Sequence, residues 1–351
     1  MLTKISSVQF PFSDNDICAI KEAAAIIQNG GLVAFPTETV YGLGADGTKP
    51  MAAEKIYAAK GRPSDNPLIL HIAFPEEASV YAETSKLYYT LAQAFMPGPI
   101  TIIMPAKTIV PKHVTAGLST VAIRCPSHPI AHRLILEAKT AIAAPSANLS
   151  GSPSPTCAKY VIDDMQGRID MILDGGNSEI GLESTIVKIV DEKHLILLRP
   201  GAITVEQLAL YAHVTIAKSV TGELQKGEVA ESPGMKYRHY APKSQFVLLE
   251  GNLSAQYAYI ATHQDNASVI CYTEQCQHYM QLLGENHVFD IGAEHDTATH
   301  CSRLFTLLRT ADQPETQTIY ASLPEKDGLG LALYNRMIRA AAHCIIKLKD
   351  N

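Results

Sequence analysis

The sequence predicts an α/β protein in two parts, an N-terminal mixed sheet with helices and a smaller C-terminal α/β domain on a parallel sheet. In the first part, short β-rich runs bounded by Pro or Gly recur at irregular spacing, with helical stretches between only some of them. That fits a mixed sheet better than a regular βαβ repeat. From Ser244 onward four short runs are separated by segments long enough for one helix each, the rhythm of a parallel sheet with helical crossovers. Between the two regimes lies Glu231–Lys243, where Pro233, Gly234 and Pro242 surround Lys236, Tyr237, Arg238, His239 and Tyr240. We place the domains at 1–230 and 244–351, with 231–243 as a linker. A plain linker is Gly/Ser-rich or charged; this one is rich in groups that stack, donate and pair.

The elements follow in order. Ile17, Ile20, Ala24 and Ile27 recur at helical spacing, with Ser13 or Asp14 as N-cap and Gly30-Gly31 as the stop. Leu32–Phe35 is then a strand. Gly42, Gly44 and Gly47 read as a tight glycine turn before a helix, Met51–Lys60, whose first turn holds Pro50. Strands are expected at Leu68–Ile72, Ile100–Met104, Val121–Arg124, Met171–Leu173, Thr185–Val190 and Leu195–Leu198, and a helix at Ile130–Ala138. In the second part the strands are Phe246–Leu249, Ser268–Tyr272, His287–Ile291 and Thr318–Ala321.

At 351 residues and 46% hydrophobic, the chain is long enough for two cores. No apolar run reaches the ~18 to 20 residues of a membrane span, and Met1-Leu-Thr-Lys4 lacks the apolar stretch of a signal peptide, so a cytoplasmic, membrane-free protein is expected. Seven cysteines, with no C-x-x-C pair, suit neither a disulfide framework nor a zinc site. The net charge of −6 argues against a broad basic face for nucleic acid. The charge is uneven: residues 1–243 carry 22 basic and 23 acidic residues, and 244–351 carry 7 and 12. An anionic ligand is therefore better sought in the first part.

Several motifs carry chemistry. Gly42, Gly44 and Gly47 match G-x-G-x-x-G, but Thr37–Tyr41 separate Gly42 from the preceding strand, which argues against a dinucleotide fingerprint. The chain has no G-x-x-x-x-G-K-[ST] and no H-E-x-x-H. In Lys60-Gly-Arg-Pro63, the glycine and proline end the helix and leave Lys60 and Arg62 on a turn, where two fixed cations suit phosphate or carboxylate; a capped helix with solvent-facing cations is the plain alternative. His71 then falls inside an apolar strand. The run Ala144–Thr156, rich in small hydroxyl and amide residues with Pro and Gly, makes a loop whose N–H groups can meet an anion. Glu183-Ser-Thr-Ile-Val187 and Leu198-Arg-Pro-Gly-Ala202 each set a polar group at a strand edge.

In order and spacing these motifs resemble one family. Pro36-Thr-Glu-Thr-Val-Tyr-Gly-Leu-Gly44, Lys60-x-Arg62 through His71, Val121–Arg124, Pro145-Ser-Ala-Asn148 with Ser150–Thr156, Glu183-Ser-Thr185 and Arg199-Pro-Gly201 resemble the YrdC/Sua5 family of threonylcarbamoyl-AMP synthases. The linker Ser232–Pro242 and the added domain resemble the longer Sua5 type. The resemblance implies a YrdC-like twisted mixed sheet followed by a smaller, Rossmann-like C-terminal α/β domain. It implies an enzyme that forms threonylcarbamoyl-AMP and pyrophosphate from L-threonine, bicarbonate and ATP, for the N6-threonylcarbamoyladenosine of tRNA.

Carried over position by position, the resemblance implies that L-threonine meets Thr39, His71, Arg124, the backbone at Ala144, and Ser184. ATP is matched to Arg62, Asn66, Thr120, Ser146, Asn148, Ser154 and Arg199, with Tyr237 or Tyr240 of the linker also reaching the nucleotide. Lys60 and Arg62 are the expected catalytic residues, neutralising charge that moves to the leaving group. Mg2+ is expected on the ATP phosphates with no dedicated protein ligands. A downstream tRNA threonylcarbamoyltransferase is the expected recipient of the adenylate, with no strong direct tRNA binding. An RNA-binding, translation-linked module is the reading from another class; the net charge and the lack of a basic stripe count against it. A related carbamoyl-phosphate-dependent carbamoyltransferase would bring zinc-finger and acylphosphatase-like signals, which this chain lacks.

Overall fold

Helix α1 (Asp14–Gln28) forms where the apolar spacing predicts it, and it buries Ile20, Ala23, Ala24 and Ile27. Ser13 is the N-cap, in a capping box with Asp16 that satisfies two otherwise orphaned N–H groups. The computed structural model describes residues 2–222 and 240–349. The chain falls into two units, Met1–Ser150 with Ser154–Tyr237, and Gly151–Pro153 with Arg238–Asn351.

In the first unit the strands are β1 (Lys4–Ser7), β2 (Val33–Phe35), β3 (Gly42–Asp46), β4 (Ile69–His71), β5 (Ile100–Pro105), β6 (Thr120–Arg124), β7 (Ile142–Ala144), β8 (Met171–Asp174), β9 (Thr185–Asp191), β10 (His194–Arg199) and β11 (His213–Ile216). The longer helices after α1 are α2 (Pro50–Lys60), then Lys86–Phe95, Pro129–Ala138 and Ala158–Met165. The strands make one sheet in the order β1-β8-β2-β3-β7-β4-β6-β5-β9-β10-β11. It is mixed: β4 runs parallel to β6, while β3, β7 and β4 alternate in direction. A core of Ile20, Ile27, Phe35, Leu134, Ile142 and Leu173, among others, joins α1 and Pro129–Ala138 to the sheet.

The glycine segment corrects one expectation. Gly42–Asp46 is not a turn but strand β3, buried throughout and antiparallel to β2. None of Gly42, Gly44 and Gly47 has a positive φ. They are small because their neighbours fill the space: a Cβ on Gly44 would meet Ile142 Cγ2 and Phe35 Cε1 at 2.7 Å, and one on Gly47 would meet Leu70 Cδ2 at 2.5 Å. Glycine here answers close approach, not turn geometry.

The second unit is a five-stranded parallel sheet of β12 (Gln245–Glu250), β13 (Ala267–Cys271), β14 (Val288–Asp290), β15 (Thr318–Ser322) and β16 (Ile345–Lys347), in the order β14-β13-β15-β12-β16. Helices Leu253–Ala261, Cys276–Leu283, Thr297–Thr310 and Gly330–Ala340 lie between successive strands, as the alternation of the sequence predicts. Strand β16, like β1 and β11, carries too little buried apolar surface to be seen in the sequence.

Candidate active site

A transverse row of the mixed sheet assembles the first group. His71 on β4 pairs with Arg124 on β6, and Ile102 on β5 pairs with Ile123, so Thr101 is next along the ladder from Arg124. Thr101 pairs with Ile186 on β9, and Ile186 with Arg199 on β10. Directly opposed residues share a face of a sheet, so one row gathers His71, Arg124 and Thr101 from distant parts of the chain; Arg199, beyond a register shift in β10, joins them through its hydrogen bonds to Ser184. His71 is buried, with Nδ1 3.1 Å from the Ile69 carbonyl, and its pKa is pushed down to about 3 by burial and then by the charge of Arg124. The imidazole is therefore neutral at physiological pH.

The loop after β2 folds over this row. Thr37 accepts from the N–H groups of Thr39 and Val40, at 3.2 and 3.3 Å, and its hydroxyl lies 2.9 Å from that of Thr39. That turn sends Glu38 to Arg124, with Nη2 2.8 Å from Oε1. The contact is off-axis: Arg124 and the backbone N–H groups of Glu38 and Ser127 lie near the carboxylate, yet among the described residues both Glu38 carboxylate oxygens and Arg124 Nε and Nη2 lack an aligned hydrogen-bond partner. Burial pushes the Glu38 carboxyl up, but the charge and proximity of Arg124 outweigh it, and the carboxyl is held below the usual range. Sequence reasoning passed over Glu38. A lone carboxylate shows no partner in sequence, and only its place in Pro36–Gly44 could have drawn notice.

The second group closes on Lys60, the last residue of α2. Gly61 takes a left-handed φ of 62° and ends the helix, as predicted. Lys60 is not solvent-facing, however: it is buried, and Nζ donates to the carbonyls of Ser146 and Asn148 at 2.5 and 2.6 Å. Ser146 Oγ donates to Asn148 Oδ1 at 2.5 Å, while Asn148 Nδ2 donates to the Leu149 carbonyl. Lys60, Ser146 and Asn148 are thus one network. Arg62 lies near the Asn66 and Pro67 carbonyls at 3.4 Å. Asn66 is wholly buried, yet neither side-chain amide atom has a partner among the described residues. Unpaired buried amides are costly in a folded chain and mark a place where a ligand can bind.

A third group surrounds Ser184. Its hydroxyl is 2.6 Å from that of Thr101, and Arg199 donates to it and to its carbonyl, both at 3.0 Å. The neighbouring Glu183 accepts from Ser154 Oγ at 2.5 Å. Ser154, Ser184 and Arg199 are all buried. Ala144 ends β7, opposite Ile69 in the ladder. Thr120 opens β6 and is half-buried. Of the linker tyrosines, Tyr237 lies outside the described residues. Tyr240 is buried in the second unit, 5.1 Å from the Phe305 ring and 5.8 Å from the Arg336 guanidinium. Among the described residues no three His, Cys, Asp or Glu side chains come together to hold a metal.

Known proteins resemble this chain along nearly its whole length. The family described as Telomere recombination, Sua5/YciO/YrdC, matches residues 25–201, and the one described as Threonylcarbamoyl-AMP synthase, C-terminal domain, matches 203–342. The threonylcarbamoyl-AMP synthase of Pyrococcus abyssi is 41% identical over 337 residues, covering 94% of this chain and 96% of that one. That of Bacillus subtilis is 41% identical over 334 residues, covering 93% and 94%. The crystal structure of P. abyssi Sua5 complexed with L-threonine superposes with a TM-score of 0.88 at 39% identity, covering 99% of this chain and all of that one (100%). Escherichia coli YciO, at 24% identity and a TM-score of 0.51, shares the fold of 57% of this chain over 96% of its own length. The chain belongs to the threonylcarbamoyl-AMP synthase family, in its longer, two-domain Sua5 form.

Proposed function

We propose that this chain forms L-threonylcarbamoyl-adenylate and pyrophosphate from L-threonine, bicarbonate and ATP, supplying the activated group for tRNA N6-threonylcarbamoyladenosine. The observation that carries the reading is the N-terminal unit's set of buried, misaligned polar groups. Glu38, Arg124 and Asn66 lie in the same unit as a Lys60–Ser146–Asn148 network and an Arg199–Ser184 pair. A relative of 39% identity has been crystallised with L-threonine.

The threonine amine takes up bicarbonate, with loss of water, as an N-carboxylate. A carboxylate oxygen then attacks the α-phosphorus of ATP, and pyrophosphate leaves; no covalent enzyme intermediate is required. Such transfers depend on positioning and on neutralising charge as it moves. Arg124 is suited to the α-carboxylate through a charge-assisted pair. Lys60 holds the Ser146–Asn148 loop in place for the nucleotide, and with Arg62 and Arg199 it supplies positive charge near the phosphates. Asn66, Thr120, Ser146 and Ser154 supply neutral partners, while Thr39, the Ala144 backbone, neutral His71 and Ser184 line the amino-acid side. Bound on the phosphates, Mg2+ would neutralise the pyrophosphate.

We assign the adenylate to a downstream tRNA threonylcarbamoyltransferase and the protein to the cytoplasm. Among the described residues no helix is long and apolar enough to cross a membrane. Mass spectrometry of the protein with ATP, L-threonine and bicarbonate should find the adenylate, with equal pyrophosphate, only when all three are present. Pyrophosphate release indifferent to threonine would overturn the reading.

A further inference from the structure

Glu38 and Arg124 form an ion pair that does not satisfy itself. They are 5% and 4% exposed, they touch at 2.8 Å, and yet both carboxylate oxygens and two guanidinium nitrogens lack an aligned partner among the described residues. Burying opposite charges without well-aligned hydrogen bonds is unfavourable, and a fold that needed the pair only as a strut would align it. A guanidinium has five N–H donors and a carboxylate about four acceptor sites, so each can serve a second charged group while keeping the first. An α-amino acid carries the matching pattern, an ammonium and a carboxylate on one carbon.

We propose that Glu38 receives the α-ammonium of the substrate while Arg124 receives its carboxylate, so that the pair recognises a zwitterion instead of any small anion. The proposal deepens the amino-acid reading above and rests on it. The arrangement explains why a carboxylate stands where an anionic substrate must bind: Glu38 repels acids that lack an amine, and the ammonium offsets that repulsion only for the right ligand. Arg124 keeps Glu38 ionised despite its burial, so the residue acts as a charge partner. The neighbouring His71 is neutral and does not compete for it.

The test is calorimetric titration of the full-length protein and of Glu38→Gln, which keeps the shape and removes the charge. Three ligands are compared: L-threonine, its analogue with hydroxyl in place of the amine, and L-threoninamide, which keeps the amine and lacks the carboxylate. The wild type should prefer threonine over the hydroxy analogue by about a hundredfold, and Glu38→Gln should weaken threonine and threoninamide alike by about tenfold or more. The hydroxy analogue should bind the variant as well as the wild type, or better. Equal binding of threonine and the hydroxy analogue by the wild type overturns the proposal without any variant. An equal loss for threonine and the hydroxy analogue in Glu38→Gln also overturns it, since Glu38 would then only prop Arg124. A wild type that binds no threonine at all overturns the amino-acid reading itself.

Discussion

In the N-terminal unit Arg124 is buried beside a carboxylate that it meets off-axis, whereas in the C-terminal unit Arg336, wholly buried, donates to Asn335 Oδ1 at 2.8 Å and lies 5.8 Å from the Tyr240 ring. The two arginines sit on different scaffolds. Arg124 ends a strand of a mixed sheet whose short strands bring several loops to one row, while Arg336 lies within a helix, Gly330–Ala340, buried along its whole length. A cation that supports a fold is paired within that fold, and one kept for a ligand is left short of aligned partners. The comparison teaches that burial alone does not mark function; the alignment of partners does.

The comparison is sharpened most by Lys60→Ala. Removing a buried ammonium and its hydrogen bonds to the Ser146 and Asn148 carbonyls should cost about 3 kcal/mol, roughly a hundredfold. We expect the loss in turnover at saturating ATP, measured as pyrophosphate release; a loss confined to ATP affinity would make Lys60 a binding contact only. Arg124→Ala should raise the threonine requirement by about ten to a hundredfold, ~1.5 to 3 kcal/mol, and leave that for ATP nearly unchanged. An unaltered threonine dependence would remove Arg124 from the amino-acid site.

Arg336→Ala supplies the contrast. It should lower the thermal stability of the protein by about 2 kcal/mol through lost packing and hydrogen bonding, with the threonine requirement unchanged. A changed threonine requirement in a stably folded variant would break the distinction between the two arginines.

The last test concerns pH. The folded-state pKa of His71 is depressed from 6.5 to about 3, so its contribution to stability is complete above the unfolded value. It is lost as pH falls toward the folded value, because the unfolded chain binds the proton first. Between these limits stability should fall by up to about 1.4 kcal/mol per pH unit. Denaturant midpoints of His71→Gln should depend less steeply on pH across that window than those of the wild type. Parallel slopes would show that another group sets the acid sensitivity.

Local periodicity and ordered motifs are legible along the chain. Helix α1 could be read because Ile20, Ala24 and Ile27 share a face, and the parallel sheet of the second unit because apolar runs alternate with helix-length segments. The glycine that ends α2 was legible for the same reason, since its left-handed φ is a local requirement. Tertiary structure alone decided the rest. The glycines of β3 signal a turn until Phe35 and Ile142 are seen to occupy the space where side chains would be. Lys60 reads equally as an anion-binding turn cation or a solvent-facing one until the carbonyls of Ser146 and Asn148 close on it. Glu38 reads as nothing in particular until the turn after β2 brings it to Arg124. Each of these properties belongs to a pair of residues far apart in the chain, and a sequence records the members of such a pair without recording that they meet.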